Sequence, residues 1–169
     1  MKSGITDITV EVVRWDHPAY SFSHNATYTA HGKSELAVIR VMTCEGIEGN
    51  AFWGTFHRDN AGTATLVKAV LPGLKAALIG ADPFQREQLW ARFAGMARYN
   101  ELSWRWLNAI DVALWDIAGK AAGLPVYQLL GGYRNKILAY ASGADYDDAG
   151  AYIEEALKYK SQGLRAYKI

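Results

Sequence analysis

The sequence has a single cysteine, Cys44, among its 169 residues. One cysteine excludes a disulfide within the chain, and a reducing compartment is therefore expected. No stretch approaches the ~20 apolar residues of a transmembrane helix. Residues 1–13 alternate polar and apolar side chains, unlike the uninterrupted apolar run of a signal peptide. These absences predict a cytoplasmic protein.

An excess of charge of either sign is also missing. The chain has 18 basic and 17 acidic residues, for a formal net charge of +1. Proteins that bind nucleic acid or anionic membranes present a clustered excess of lysine and arginine. The composition therefore argues against nucleic acid and membrane partners.

The first third of the sequence has the pattern of β-strands. Apolar residues make up 50% of the chain, and they alternate with polar ones in Ile5–Val13, Ala26–His31 and Leu36–Thr43. A turn at Gly46–Gly49 then leads into Asn50–Trp53. Alternation is typical of strands with one buried face. We predict a three-stranded antiparallel meander.

The period of the apolar residues becomes helical after this meander. Asp59 or Asn60 is expected to cap a helix that reaches about Val70. Pro72 should break or restart that helix, because proline lacks the backbone donor and crowds the preceding turn. Gly80 is expected to close this unit.

Two further helices are predicted. Asp82 followed by Pro83 has the pattern of an N-cap and first helical position, and this helix should reach about Arg98. The next should run from Ser103 to Ala122 and end at Gly123, a usual left-handed cap residue. Its apolar stripe consists of Leu107, Ile110, Leu114, Ile117 and Ala121.

Trp115 and Asp116 lie in this last helix, and we interpret both as structural. The indole is expected to fill a large pocket. The carboxylate is expected to pair with Lys120 one helical turn later or to cap a neighbouring loop.

The C-terminal quarter predicts a strand, a helix and a second strand. Ile137–Gly143 is an apolar run without strict alternation, as expected of a strand covered on both faces. Asp147 or Asp148 can cap a helix that ends before Gly163, and Leu164–Ile169 begins the next strand. A strand, crossover helix and strand form a parallel βαβ unit.

Residues 108–132 read NAIDVALWDIAGKAAGLPVYQLLGG. This segment resembles the enolase superfamily, in its mandelate racemase and muconate lactonizing branches. There, an Ala-Leu-Trp-Asp helix and a Leu-Leu-Gly-Gly exit end an N-terminal capping domain, and a catalytic barrel follows. The resemblance implies an α+β capping domain at residues 1–132, with the meander followed by helices. It leads into the first βα unit of a (β/α)-barrel at residues 133–169, where the barrel is incomplete.

The resemblance also implies an activity. Enzymes of this family use Mg²⁺ and remove the α-proton of a carboxylate substrate through an enediolate. A sugar-acid dehydratase or racemase is the first expectation, and a cycloisomerase or an amino-acid or dipeptide epimerase is the alternative. A different class is a non-catalytic fragment that serves only in binding or assembly. The family's metal ligands lie on later barrel strands, so this segment alone is expected to hold no metal and to be inactive. The intact enzyme is expected to bind a small carboxylate and to be a homo-oligomer.

Lys168 and Ser142 are the candidate residues at the ends of the two predicted barrel strands. In the family, the second barrel strand ends in Lys-x-Lys, and the resemblance makes Lys168 the first lysine of that pair. This lysine helps to neutralise the substrate carboxylate. Ser142 resembles a small polar residue that binds the same carboxylate, although serine is also a common turn residue.

Two loops of the capping domain are expected to cover the barrel mouth and to select the substrate. By position they are residues 15–25 and 53–58, and their aromatic and polar side chains suit a pocket wall. The candidate substrate contacts are His17, Tyr20, Phe22 and Trp53. Core packing beneath the loops is the alternative role for each aromatic residue.

Other kinds of site are not indicated. The four histidines do not fall into a metal-ligand spacing with Cys44 or with paired carboxylates. The glycines at 46, 49, 131 and 132 lie outside the contexts of phosphate-binding loops.

Overall fold

The computed structural model describes residues 4–16, 20–21, 29–30, 33–53, 63–98, 104–143, 146 and 148–169. The first seven elements are five strands and two helices. They are β1 (Ile5–Asp16), β2 (Tyr20–Ser21), β3 (Thr29–Ala30), β4 (Lys33–Thr43), β5 (Glu48–Trp53), α1 (Thr63–Leu78) and α2 (Arg86–Arg98). The others are α3 (Trp104–Ala122), α4 (Val126–Leu129), β6 (Ala141–Ser142), α5 (Ala149–Ser161) and β7 (Tyr167–Lys168).

The predicted meander is confirmed. Strands β1, β4 and β5 form one antiparallel sheet in that order. Ala37, Ile39 and Val41 of β4 are buried, whereas the residues between them are only partly buried. This period of two places one face of the sheet on the core. Helices α1 and α3 pack against that face.

The run at residues 26–31 does not join this sheet. Its described part, β3, pairs with β2 in a separate two-stranded antiparallel ribbon. β1 also extends to Asp16, three residues beyond the predicted run, because its whole length pairs with β4. The predicted caps Asp59 and Asn60 lie outside the described residues.

Helix α1 continues through Pro72, so the predicted break is wrong. Pro72 is exposed, while Val67, Leu74, Ala77 and Leu78 are buried against the sheet. Proline inside a helix costs about 3 kcal/mol. Burial of a single leucine side chain contributes roughly 1.5–3 kcal/mol. Packing on both sides of the proline therefore outweighs its local effect.

Helix α2 ends at Arg98 as predicted but begins at Arg86, three residues after Pro83. Asp82 forms a turn there instead of the cap. Its side-chain oxygen accepts the Phe84 N–H at 2.9 Å, and its carbonyl accepts the Gln85 N–H at 3.2 Å. Aspartate forms such turns with its own following backbone, which competes with helix initiation.

Helix α3 is the central helix of this layer, and its predicted stripe is largely confirmed. Leu107, Ile110, Leu114 and Ile117 are fully buried, whereas Ala121 is exposed. Gly123 has a φ of 64° and ends the helix. The Leu124 N–H bonds to the Gly119 carbonyl at 3.0 Å, which is the long bond of a Schellman motif.

Asp116 links α3 to the sheet. Its Oδ2 accepts the Asn50 N–H of β5 at 2.8 Å and the Lys120 ammonium at 2.7 Å. Lys120 also donates to the Glu48 carbonyl at 2.6 Å. The structural interpretation of Asp116 and its pairing with Lys120 are therefore confirmed, and its second partner is a strand residue instead of the predicted loop.

Trp115 is only partly buried, so the expectation that its indole fills a large pocket is wrong. The guanidinium carbon of Arg86 lies 3.2 Å from the centroid of its ring. The deeply buried indole is that of Trp106, which stacks on Trp53 at 4.0 Å between centroids. Trp106 faces the sheet, while Trp115 lies beside α2, where a cation covers it.

The βαβ unit is confirmed, with shorter strands than predicted. β6 and β7 pair in parallel, and the Asp148 side chain caps α5 by accepting the Ala151 N–H at 3.2 Å. Gly163 follows this helix with a φ of 91°. Residues 137–140 are exposed and do not pair as a strand. Within the part of the chain that the structure describes, no helix is both long and apolar enough to cross a membrane.

The closest approach of α3 to the sheet gives a test of the fold. A Cβ added at Gly49 would lie 2.2 Å from the Ala113 carbonyl and 2.6 Å from Ile117 Cγ1. Gly49→Ala should therefore lower the free energy of unfolding by at least about 1–3 kcal/mol. Urea unfolding followed by circular dichroism measures this change.

Gly95→Ala is the matched control. Gly95 lies in α2 and an added Cβ meets nothing within 4 Å. Alanine there should stabilise the protein by roughly 0.5–1 kcal/mol because it restricts the unfolded chain. Equal effects of the two substitutions would contradict the close packing at Gly49.

Candidate functional site

Ser142 and Lys168 are direct partners across the parallel pair of β6 and β7. The Ala141 N–H donates to the Ala166 carbonyl at 3.0 Å, and the Gly143 N–H donates to the Lys168 carbonyl at 2.9 Å. Both side chains are exposed. The structure therefore brings together the two residues that the sequence placed at strand ends.

The side chain of Tyr167 defines the two faces of this pair. Tyr167 contacts α5, since its hydroxyl donates to Glu155 Oε2 at 2.5 Å and its ring stacks on Tyr159 at 6.3 Å. Successive side chains of a strand point to opposite faces. Lys168 and its partner Ser142 therefore point away from α5. In a parallel barrel that face is the interior, where functional groups collect at the carboxyl ends of strands.

A group of tyrosines surrounds Glu155 behind this face. Burial, together with the Glu155 carboxylate, raises the pKa of Tyr146 above its usual value. The Tyr146 N–H donates to the Tyr152 hydroxyl at 3.0 Å, and the two rings meet edge to face at 5.2 Å. Tyr146 is thus attached to α5. The hydrogen bond to Glu155 likewise raises the pKa of Tyr167 far above the ordinary value, with burial adding to the effect.

The predicted lid residues are only partly within the described structure. His17 and Phe22 lie outside the described residues. Tyr20 belongs to β2, whose backbone pairs with β3. Trp53 ends β5 on the core-facing side, partly buried and stacked on Trp106. Trp53 and the Ser142–Lys168 pair therefore lie in different sheets.

Glu35 is a candidate that the sequence reasoning missed. It is buried on β4, opposite Arg14 of β1, and its Oε1 lies 2.5 Å from the Arg14 guanidinium. Its other oxygen, Oε2, is buried and has no hydrogen-bond partner among the residues that the structure describes. A buried acceptor without a partner is costly and calls for an explanation. The sequence did contain a signal, because Glu35 lies in phase with the buried residues Ala37 and Ile39 of the alternating strand.

Metal ligands were expected outside this segment. Within the described residues, no group of three or more histidine, cysteine, aspartate or glutamate side chains is arranged to hold a metal ion. Mg²⁺ prefers several converging oxygen ligands. The described residues therefore do not fit a magnesium site of their own.

An antiparallel three-stranded sheet followed by helices is the architecture of the capping domains of enolase-superfamily structures. The sequence model of the family described as mandelate racemase / muconate lactonizing enzyme, N-terminal domain, matches residues 7–131. The chain belongs to this family, and the resemblance seen in residues 108–132 is confirmed.

Individual relatives share both sequence and fold. The chain is 37% identical over 139 residues to a D-mannonate dehydratase of Sphingomonas sp. (strain SKA58), which covers 79% of this chain and 33% of the relative. It is 30% identical over 170 residues to a 3,6-anhydro-alpha-L-galactonate cycloisomerase of Streptomyces coelicolor, covering 95% and 45%. A solved racemase from Streptomyces coelicolor A3(2) with bound magnesium matches with a TM-score of 0.76 and 26% identity, covering 96% and 45%. The chain thus spans less than half of each of these proteins.

The contact between Tyr167 and Glu155 predicts an unusual titration. Removal of a proton from Tyr167 would place a second negative charge beside the carboxylate, so this tyrosine should stay neutral at about pH 11, one unit above the ordinary value of ~10. The sequence has ten tyrosines, so a difference measurement is needed. Near-ultraviolet tyrosinate absorbance of the unsubstituted chain minus that of Tyr167→Phe isolates this group.

The same shift has a consequence for stability. The pKa of Tyr167 is raised in the folded state. The contribution of its hydrogen bond to the free energy of unfolding is therefore complete below pH 10.0, the ordinary pKa, and is lost as the pH rises through the folded-state pKa. Circular dichroism must show that the chain is still folded during the titration. A difference spectrum that titrates near the ordinary value would contradict the hydrogen bond.

Proposed function

We propose that this chain is the N-terminal part of a Mg²⁺-dependent enzyme that removes the α-proton of a carboxylate substrate. The observation that carries the proposal is the pairing of Ser142 with Lys168 at the carboxyl ends of two parallel strands, on the face turned away from α5. The family membership supports it, because its members include dehydratases and racemases. A sugar-acid dehydratase or racemase is the activity that we favour.

Lys168 and Ser142 have the chemistry for one end of such a substrate. A proton beside a carboxylate is weakly acidic because its removal leaves two negative charges on neighbouring atoms. An ammonium group placed there before the reaction stabilises the developing charge without reorganisation. The Ser142 hydroxyl can donate to the same carboxylate oxygen. We assign Lys168 to charge neutralisation at the reacting end and Ser142 to substrate orientation.

Mg²⁺, when bound, would supply further positive charge to the substrate carboxylate. The described residues hold no ligand group for it. In this scheme Lys168 and Ser142 contact the substrate, and none of the described residues is a metal ligand.

The substrate class is proposed from the relatives. The D-mannonate dehydratase at 37% identity favours a sugar acid and a dehydration. The cycloisomerase that matches 95% of the chain supports a cycloisomerisation of a sugar-derived acid as the second candidate. Both reactions begin with a proton beside a carboxylate, so both use the same face of β6 and β7.

The domain division is also part of the proposal. We place the capping domain at residues 1–132 and the start of the barrel at 133–169. The family match stops at residue 131, and Gly131 and Gly132 end α4 with φ values of 101° and 55°. The first parallel strand pairing of the described chain comes after this point.

We propose that the loops at 15–25 and 53–58 select the substrate, with His17, Tyr20, Phe22 and Trp53 as pocket residues. β1 ends at Asp16 and β5 ends at Trp53, and Ala37, the partner of Trp53, lies near the start of β4. Both loops therefore leave the sheet at one end. Glu35 lies at this end as well, with a buried acceptor that suits a substrate hydroxyl.

Substitution of Lys168 tests the activity in the full-length protein that contains this chain. Lys168→Ala should lower the rate of exchange of the substrate α-proton with deuterated solvent by roughly 10²–10³-fold, as loss of one preorganised charge partner does. Ser142→Ala should raise KM by about tenfold through loss of one hydrogen bond to a charged group. Proton NMR on a panel of sugar acids measures both.

Lys136→Ala is the control, because Lys136 is an exposed lysine that precedes β6. It should leave both quantities unchanged. An unaltered exchange rate in the Lys168 variant would contradict the proposed activity.

Trp53 distinguishes a pocket residue from a core residue. Trp106→Ala should cost about 3–5 kcal/mol of unfolding free energy, the usual value for a buried aromatic. Trp53→Ala should cost less, because its ring is partly exposed, and it should redistribute kcat/KM among sugar acids. Thermal unfolding and the substrate panel give the two measurements.

Phe52→Ala is the neighbouring control. Phe52 is 67% exposed and lies on the opposite face of β5. It should change neither stability nor substrate preference. If Trp53→Ala destabilises the protein as much as Trp106→Ala and keeps the substrate preference, Trp53 is a core residue only.

A further inference from the structure

Lys168 lies on β7, which pairs with β6 through Ala141–Tyr167 and Ser142–Lys168. A lysine needs a fixed backbone if its ammonium is to meet a substrate in one geometry. On the opposite face of β7, the neighbouring residue Tyr167 donates a hydrogen bond to Glu155 at 2.5 Å.

Gly143 leaves the space that this hydrogen bond occupies. A Cβ at position 143 would lie 2.0 Å from the Tyr167 hydroxyl oxygen and 2.9 Å from Glu155 Oε2. A side chain at that position would therefore displace the Tyr167 hydroxyl or the Glu155 carboxylate. The amide of the same glycine donates to the Lys168 carbonyl at 2.9 Å. Gly143 therefore contacts the lysine's backbone on one side and the tyrosine's hydroxyl on the other.

Glu155 is in turn fixed by its position on α5. Asp148 caps this helix, and the Tyr152 hydroxyl, one turn before Glu155, accepts the N–H of Tyr146. The carboxylate thus lies on a capped helix that is also attached to Tyr146. A hydrogen bond to an ionised acceptor is about twice as strong as one between neutral groups.

We propose that Tyr167 and Glu155 are positioning residues for the proposed reaction, whose hydrogen bond in the space left by Gly143 holds Lys168 beside Ser142 on the opposite face. This inference rests on the proposed function of Lys168. Neither side chain touches the substrate, because Tyr167 points to α5 and Lys168 points away from it. Their effect on the reaction is transmitted through the backbone of β7.

The test uses Tyr167→Phe in the full-length protein, because this change removes the hydroxyl and keeps the ring. Loss of orientation at a reacting group costs up to about 10²-fold in rate. The α-proton exchange rate should therefore fall roughly tenfold to a hundredfold, while KM changes less than about twofold. A purely structural role would lower the melting temperature and leave the rate per folded molecule unchanged.

Variants of Glu155 separate the hydrogen bond from packing. Glu155→Gln keeps an oxygen acceptor and should retain most of the rate, whereas Glu155→Ala should be at least as slow as Tyr167→Phe, because it also removes the carboxylate beside Tyr146. The double variant Tyr167→Phe/Glu155→Ala should be no slower than Glu155→Ala alone, because the alanine already removes the partner of the Tyr167 hydroxyl. Tyr159→Phe is the control: its ring stacks on Tyr167, and loss of its hydroxyl should leave the rate unchanged.

Failure of this inference differs from failure of the proposed function. If Lys168→Ala abolishes exchange and Tyr167→Phe keeps the full rate, the positioning role is overturned and the proposed function stands. If Lys168→Ala keeps the full rate, the proposed function fails and the positioning role fails with it. Amide hydrogen exchange at Gly143, which should be faster in Tyr167→Phe than in Tyr159→Phe, supports the inference directly, and equal exchange in the two variants would overturn it.

Discussion

The packing of helix α3 on strand β5 is the constraint on which the rest of the capping domain depends. The helix backbone approaches so closely at Gly49 that no other residue fits there without a shift. Burial of Leu107, Ile110, Leu114 and Ile117 against the sheet holds the helix at that distance. Helices α1 and α2 complete the same core, and α2 contributes Leu89 and Phe93 to it while packing on α3. Gly49 of β5 is therefore as important to the fold as the apolar stripe.

Periodicity predicted the elements whose burial follows their local pattern. The meander and the stripe of α3 each repeat at the period of their own secondary structure, and the structure has both. Pro72 was misjudged because a local rule was applied where burial of Val67 and Leu74 decides. Trp115 was misjudged for a similar reason. Trp106 and Trp115 are nine residues apart, and a sequence does not show which one faces the sheet and which one lies under Arg86.

The candidate site was partly predictable. The parallel pairing of the strands that hold Ser142 and Lys168 followed from the strand, helix and strand pattern, and the alternation of side chains placed Lys168 opposite the helix. The part that could not be predicted is side-chain chemistry across long separations. The hydrogen bond from Tyr167 to Glu155 and the unpartnered oxygen of Glu35 depend on packing that no spacing in the sequence encodes.

The hydrogen bonds that Asp116 and Lys120 of α3 form with the backbone of β5 have a consequence for solubility. In the described sheet, β5 is an edge strand, and an edge strand offers unpaired backbone groups to the strands of other molecules. Asp116 takes the Asn50 N–H and Lys120 takes the Glu48 carbonyl, two groups that point outward from the same edge. The helix thereby occupies two of the hydrogen-bonding positions that a foreign strand would use. A motif that marks the family in sequence thus also protects the sheet from edge-to-edge aggregation.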